Sequence, residues 1–267
     1  GQMDMEITIT RNMLSGVSGN NINLQVDETV TSEYLLNALI VGNSNDAATV
    51  IACVIAGSVE SFVELMNRRA GELGATHTNY TNPTGMHNNT MYTTVADTAI
   101  IAKYLYQYSV FRTIAKQDVY VMPETNKSKA RTIYNRNFLI ATNIEYKYYS
   151  PTVTGMNAGN TYQSGYSVVA TSEYNDNTYL AIVMGASYIE GEYYSYYNVR
   201  NLLTWAYESY ADVQVLSASS IICEIPVSLA DGIDHVTLLP EHDVTLYLPT
   251  DLDYEKEIKR SWTLNAP

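Results

Sequence analysis

From Ala47 to Gly57 the chain runs almost wholly apolar and carries no charge, and no other stretch limits its fold as strongly. A helix that is apolar all round has to be buried on most sides. The run is about half of the ~20 residues that a bilayer-spanning helix needs, so its place is inside a protein core. Asp46 opens it, after Gly42-Asn43-Ser44-Asn45 has interrupted an earlier helix. In that earlier helix Leu35, Leu36, Leu39 and Ile40 recur at helical spacing behind a Thr31/Ser32 cap. On the other side Ser58 caps a third helix, with Val59, Phe62, Val63, Met66, Ala70 and Leu73 on one face and Gly74 as its stop.

Away from this helical block the pattern is mixed. The first thirty residues read as extended segments and turns, with Ile7-Thr8-Ile9-Thr10 alternating as a strand does. Thr94-Val-Ala-Asp97 is a capping box that opens a helix to about Tyr108. Strand patterns follow at Val119–Met122, Arg131–Tyr134, Gly165–Ser172 and Tyr179–Ala186, the last two flanking the hairpin signal Asn175-Asp176-Asn177. Val199, Leu202, Leu203, Ala206, Tyr207 and Tyr210 restore the helical period. After Ala211 only strands are expected: Val213–Leu216, Ile221–Val227, Val244–Leu248 and Glu257–Leu264. The reading is an α+β domain over residues 1–211, then the start of a small β-rich domain over 212–267.

Composition narrows the chemistry. At 267 residues and 46% hydrophobic, the chain can build one good-sized core, or one plus a small partner. With 28 acidic against 15 basic residues its net charge is −13, which disfavours nucleic acid and anionic lipid surfaces as partners. His77, His87, His235 and His242 are scattered without a ligand pattern, so neither a metal nor a cofactor is expected. Cys53 and Cys223 read as two idle thiols or as one long-range disulfide, and both readings stay open. The aromatic of this chain is tyrosine, 24 against 3 Phe. Tyr146-Lys-Tyr-Tyr149 and Tyr193-Tyr-Ser-Tyr-Tyr197 read as rims of packed elements or as stacking platforms for sugar rings. Lys127, Lys129 and Arg131 read as a solvated basic loop, and the sequons at Asn79 and Asn88 are too short to carry weight.

Seven segments, in order, resemble one family. Leu35-Leu36 through Asn43-Ser44-Asn45-Asp46-Ala47-Ala48 is similar to an LLxGLLLxSGNDAA stretch. Gly57-Ser58 with Phe62-Val63, Met66-Asn67 and Leu73-Gly74 is similar to GSxxxFVxxMNxxAxxLG. Asn82-Pro83-Thr84-Gly85-Met86 stands for NPxGL, Thr94 and Asp97 for a TAxD helix start, and Asn135-Arg136-Asn137 for LNxN. Thr154-Gly155 with Ser164-Gly165-Tyr166-Ser-Val-Val-Ala170 resembles KTGxT…AGxxLVASA, and Met184-Gly185-Ala186 a VxxGA strand. Asp243-Val-Thr-Leu-Tyr-Leu-Pro249 resembles the start of a second, β-rich domain. Together they resemble the D-alanyl-D-alanine carboxypeptidases among the low-molecular-mass penicillin-binding proteins. The resemblance implies the penicillin-binding protein/serine β-lactamase-like fold and an extracytoplasmic place, with any signal segment or membrane anchor outside these residues. It implies peptidoglycan stem peptides or β-lactams as ligands.

In that family a Ser-x-x-Lys serine attacks the terminal D-Ala-D-Ala bond, its lysine activates it, and water releases the acyl-enzyme. A Ser-x-Asn motif adds a hydroxyl and an amide; Lys-Thr-Gly binds the terminal carboxylate. Within these residues no serine has lysine three positions later; the family places that segment before the point where this chain begins. Asn43-Ser44-Asn45 stands at the second motif, with Asn43 in place of the serine and Asn45 retained. Val153-Thr154-Gly155 is assigned to the third, with Val153 in place of the lysine. The resemblance therefore implies a serine D-Ala-D-Ala carboxypeptidase whose turnover by this chain is not expected. The alternative is a non-catalytic relative that binds peptide or a partner protein. A β-lactamase ranks behind both.

Overall fold

The protein is described by a computed structural model over residues 3–226, 232, 234–261 and 263. These residues fall into two compact units divided between Leu203 and Thr204.

The first unit opens with β1 (Glu6–Thr8) antiparallel to β2 (Thr29–Thr31), Ile7 opposite Val30. Helix α1 (Ser32–Ile40) begins where the Thr31 side chain accepts from the Tyr34 N–H at 3.2 Å. The apolar run forms α2 (Asn45–Ala56), stopped by Gly57 at φ 82°. Helix α3 (Val59–Leu73) has the Ser58 hydroxyl on the Ser61 N–H at 3.1 Å, and Gly74 ends it at φ 89°. Ala47 and Val50 of α2, Leu35 and Ala38 of α1, and Ile7, Ile9, Ile22, Leu24, Val30 and Met122 share one buried cluster. Packing on α1, β1 and the loop before it thus resolves the apolar run, and no single described helix is long and apolar enough to cross a membrane.

The helix expected to reach Tyr108 ends earlier, as α4 (Val95–Tyr106), and a short α5 (Ser109–Ala115) follows. Only half of the expected capping box forms. The Thr94 hydroxyl accepts from the Asp97 N–H at 3.1 Å, but the Asp97 carboxylate turns to the His77 N–H and the Thr78 hydroxyl, both at 2.7 Å. β3 (Val119–Met122) and β4 (Arg131–Tyr134) pair as a hairpin. A three-stranded antiparallel sheet follows in the order β5 (Val153–Thr161), β6 (Gly165–Tyr174), β7 (Asn177–Ala186). Asn175 and Asp176 adopt φ 49° and 61° in its second turn, as a tight hairpin requires. Strand β5, which the sequence did not announce, lies at the sheet edge with β6 as its neighbour. A small hairpin of β8 (Tyr188–Ile189) and β9 (Glu192–Tyr193) leads into α6 (Tyr194–Ser209).

The second unit pairs β10 (Tyr210–Leu216) with β13 (Val244–Pro249), and β11 (Cys223–Pro226) with β12 (His235–Leu238), all antiparallel. Two expectations fail here. A one-turn helix, α7 (Tyr254–Glu257), sits where no helix was expected, because Asp253 O collects the Lys256 and Glu257 N–H groups. The strand expected over Glu257–Leu264 is therefore absent at Glu257–Ser261, while Trp262 and Leu264 lie outside the described residues, as does Val227 of the expected Ile221–Val227 strand. Both cysteines are free thiols.

Candidate functional site

A cleft of about 940 Å³ opens in the first unit, between the turn before α2, the edge strand β5, the Asn82–Met86 loop and the start of α6. Each wall is shaped by local sequence. Asn43 sits at φ 52°, a left-handed conformation that asparagine tolerates, and this turns the chain from α1 into α2. Its side-chain amide donates to the Ala158 carbonyl at 2.7 Å, tying that turn to β5, while its Oδ1 is buried with no partner. Asn45 lines the same wall; its amide donates to Ser18 O at 2.7 Å, and its backbone N–H to Asn20 O at 2.7 Å. Gly19 is required here. At φ +81° it lies where a Cβ would come within 2.7 Å of the Asn45 amide nitrogen. Ser44, between the two asparagines, points elsewhere, onto a separate cavity of about 290 Å³.

The opposite rim is the predicted Asn82-Pro83-Thr84-Gly85-Met86 loop. Asn82 braces it from within, accepting from the Thr84 N–H at 3.2 Å and donating to Met86 O at 2.8 Å. Asn67 of α3 holds the chain ahead of it through paired bonds with the Tyr80 backbone, at 2.8 and 2.7 Å. Of Asn135-Arg136-Asn137 only Arg136 lines the cleft. Asn135 and Asn137 are buried, Asn135 donating to Ala115 O and Gln117 O. Arg136 carries the cleft's single formal charge among its lining residues.

The five residues assigned from sequence do not converge. Asn43 and Asn45 line the cleft, whereas Val153, Thr154 and Gly155 do not. Val153 is buried in the core, the Thr154 hydroxyl donates to the Thr171 hydroxyl at 3.2 Å, and a Cβ on Gly155 would meet Thr171 and Ala115. The part of β5 on the cleft is Asn157-Ala158-Gly159-Asn160-Thr161. A signal for this was present, since Gly159-Asn160-Thr161 fulfils the Gly-x-Thr of the quoted motif and Gly155-Met156-Asn157 does not. Ser195, in the first turn of α6, also lines the cleft, and nothing in its sequence surroundings singled it out.

Both tyrosine segments are packed more than displayed. Tyr148 is fully buried, and its ring lies within 5.1 to 6.4 Å of Phe138, Tyr193, Tyr196 and Tyr197. Burial pushes the Tyr196 phenol up, and its hydroxyl donates to Arg136 O at 3.2 Å. Beside this cluster Glu192 accepts from Tyr148 at 2.7 Å, Lys147 at 3.0 Å and Tyr197 at 2.9 Å, which hold its carboxyl at about 2. Because the folded-state value is depressed, this anchoring is complete above the ordinary glutamate range of about 4.3 and disappears as pH falls toward 2. A carbon-detected titration should place the Glu192 carboxyl midpoint near 2; a midpoint near 4 would mean the three donors are not engaged.

No group of three or more His, Cys, Asp or Glu among the described residues is placed to hold a metal ion. The sequence pattern of the D-alanyl-D-alanine carboxypeptidase family matches residues 2–188. Among individual relatives, D-alanyl-D-alanine carboxypeptidase DacF of Bacillus subtilis is 28% identical over 256 residues, covering 95% of this chain and 63% of its own length. DacA of Escherichia coli K12 is 28% identical over 238 residues, covering 89% and 55%. The chain thus spans little more than half the length of these relatives. Among solved structures, a peptidoglycan synthesis regulatory factor (PBP3) of Streptococcus pneumoniae superimposes with a TM-score of 0.74 at 21% identity, covering 94% of this chain and 72% of that one. Penicillin binding protein 5 of Haemophilus influenzae gives 0.71 at 24%, covering 95% and 70%. These neighbours have the fold expected, α+β with an antiparallel sheet, and the pattern match extends over more than half of the sequence. The chain belongs to the D-alanyl-D-alanine carboxypeptidase family.

Proposed function

We propose that this chain binds the peptide stems of peptidoglycan in the cleft, outside the cytoplasmic membrane, and does not cleave them. The observation that carries this reading is the 2.7 Å bond from the Asn43 amide to the Ala158 carbonyl. Acyl transfer in the family needs a hydroxyl at the first of these places, and an ammonium with a second hydroxyl on the facing strand. We assign the third motif to Asn157-Ala158-Gly159, four residues further along the chain than Val153-Thr154-Gly155 and on the part of β5 that lines the cleft. On this assignment the lysine and the threonine of Lys-Thr-Gly are both replaced, and the serine of Ser-x-Asn is an amide. An amide neither shuttles a proton at neutral pH nor presents a cation.

What survives suits binding. A Cβ placed on Gly159 would have no neighbour within 4 Å, so a ligand's backbone has room to lie along β5. The test uses the full-length gene product with a fluorescent penicillin and with an acetylated L-Lys-D-Ala-D-Ala peptide. Expected are peptide binding by calorimetry, no D-alanine release and no stable penicillin adduct. A stable adduct, or D-alanine release that a denatured sample does not show, would overturn the non-catalytic reading in favour of the serine carboxypeptidase.

A further inference from the structure

Past Thr161, where β5 ends, the wall of the cleft becomes aromatic, with Tyr166 and Tyr193 both lining it. We propose that these two tyrosines, with Tyr188 outermost, stack the neutral amino-sugar ring to which the amino end of a peptidoglycan stem is attached, so that the ligand is the glycan-borne stem and not the free peptide. This inference rests on the peptide-binding reading above and extends it from peptide to sugar.

The direction of a bound stem brings its amino end here. β5 is the edge strand of an antiparallel sheet, and a peptide added in the same sense runs antiparallel to it. The cleft takes in β5 from Asn157 to Thr161. At about 3.4 Å per residue, a stem of about five residues covers the same run, with its carboxyl end beside Asn157 and its amino end beside Thr161. Tyr166 stands at that end, paired across the sheet with Asn160. Its ring centre lies 5.7 Å from that of Tyr188 and 5.1 Å from that of Tyr193, and the last two are 4.6 Å apart. Tyr188 carries this surface outward and is 48% exposed.

The surface is fixed by its surroundings, and its chemistry suits a sugar. Tyr188 and Tyr193 face each other across β8 and β9, whose turn has Glu190 at φ 52° and Gly191 at φ 84°, the paired positive values of a two-residue hairpin. The Tyr193 N–H donates to the hydroxyl of the buried Tyr148 at 2.8 Å, and its ring packs edge-on against Phe138 and Tyr148 at 5.6 and 5.8 Å. Rings held in this way lose little freedom when they take a ligand. The hydroxyls of Tyr166, Tyr188 and Tyr193 hydrogen-bond to no described residue, so an apolar ring face and an open hydroxyl stand side by side. A pyranose presents the matching pair, an apolar C–H face with hydroxyls around its edge, whereas an apolar partner would use the rings and leave the hydroxyls unmet. The neighbouring Glu192 is already met by Lys147 at 3.0 Å, as suits a neutral N-acetylated sugar.

Calorimetry on the full chain with an acetylated pentapeptide stem, and with the same pentapeptide carrying N-acetylmuramic acid at its amino end, decides the matter. The muramoyl form should bind about threefold to tenfold tighter, the scale of one aromatic ring contact. Tyr188→Ala should abolish that preference and leave the affinity for the acetylated peptide unchanged, which also reports that the cleft is folded. Tyr188→Phe keeps the ring and should retain most of the preference. Equal binding of the two ligands by the unaltered chain, or a preference that persists in Tyr188→Ala, overturns the sugar assignment and leaves the peptide-binding reading standing. Absence of binding by both ligands overturns that reading, and this one with it.

Discussion

Replacing Glu28 with Ala should cost about 3–5 kcal/mol of folding stability, the range found when one partner of a buried ion pair is removed. The Glu28 side chain is wholly buried and lies 3.2 Å from the Arg131 guanidinium, whose own side chain is 19% exposed. Glu28 also accepts from the Gln25 N–H at 2.8 Å and the Thr125 hydroxyl at 2.7 Å. Arg131 in turn donates to the Tyr34 hydroxyl at 2.7 Å, to Asn23 O at 3.3 Å and to the Ser128 hydroxyl. Truncation at Glu28 leaves the guanidinium without its counter-charge and the Gln25 N–H and Thr125 hydroxyl without their acceptor. Typical domains have only about 5–15 kcal/mol in all, so the loss should be visible as a large shift of the urea midpoint. Removing both charges, with Leu at 28 and Met at 131, should cost less than the Glu28→Ala change alone, because no unpaired charge remains. A loss below about 1 kcal/mol in Glu28→Ala would mean that water reaches the pair.

The second large effect is expected at Asp46. Its carboxylate accepts from the Ile22 N–H at 3.3 Å, the Leu24 N–H at 3.0 Å and the Ala47 N–H at 2.9 Å, and the residue is 2% exposed. Helix capping explains only the last of these bonds. The other two fasten the segment after Ser18-Gly19-Asn20-Asn21 to the start of α2, the segment that forms one wall of the cleft. Asp46→Ala leaves the Ile22 and Leu24 N–H groups, among the three donors, without the acceptor that joins the two segments, at about 1–3 kcal/mol each, so about 2–6 kcal/mol is expected from urea unfolding. Asp46→Asn keeps one carbonyl oxygen as acceptor and should lose roughly half as much. The same substitution should weaken peptide binding, since Asn20 and Asn45 are held by this segment. Unchanged stability in Asp46→Ala would show that the 20–24 segment is held by its apolar residues alone.

How much was legible varies with range. Caps and stops were read correctly where a single side chain or glycine decides them, as at Thr31, Ser58, Thr94 and Gly74. Asn43 and Asn45 lie on the cleft, next to a helix whose register cannot slip, whereas Val153, Thr154 and Gly155 lie off it. A strand offers only a two-residue repeat, which fixes no position along its length. Arg131 was taken for a solvated loop residue. Its charge is common on surfaces, and only the burial of Glu28, 103 positions earlier, shows that it belongs to the interior.

Apolar periodicity, capping residues and the order of seven short motifs were enough to establish the α+β class and the family, since each depends on neighbours within a few positions. Which residues face one another across the cleft was decided only by the tertiary structure. Asn43 meets Ala158 across 115 positions, and the first turn of α6 meets Arg136 across 60. Such pairings arise from how the elements pack, and no local pattern along the chain encodes the distance between two side chains on different elements.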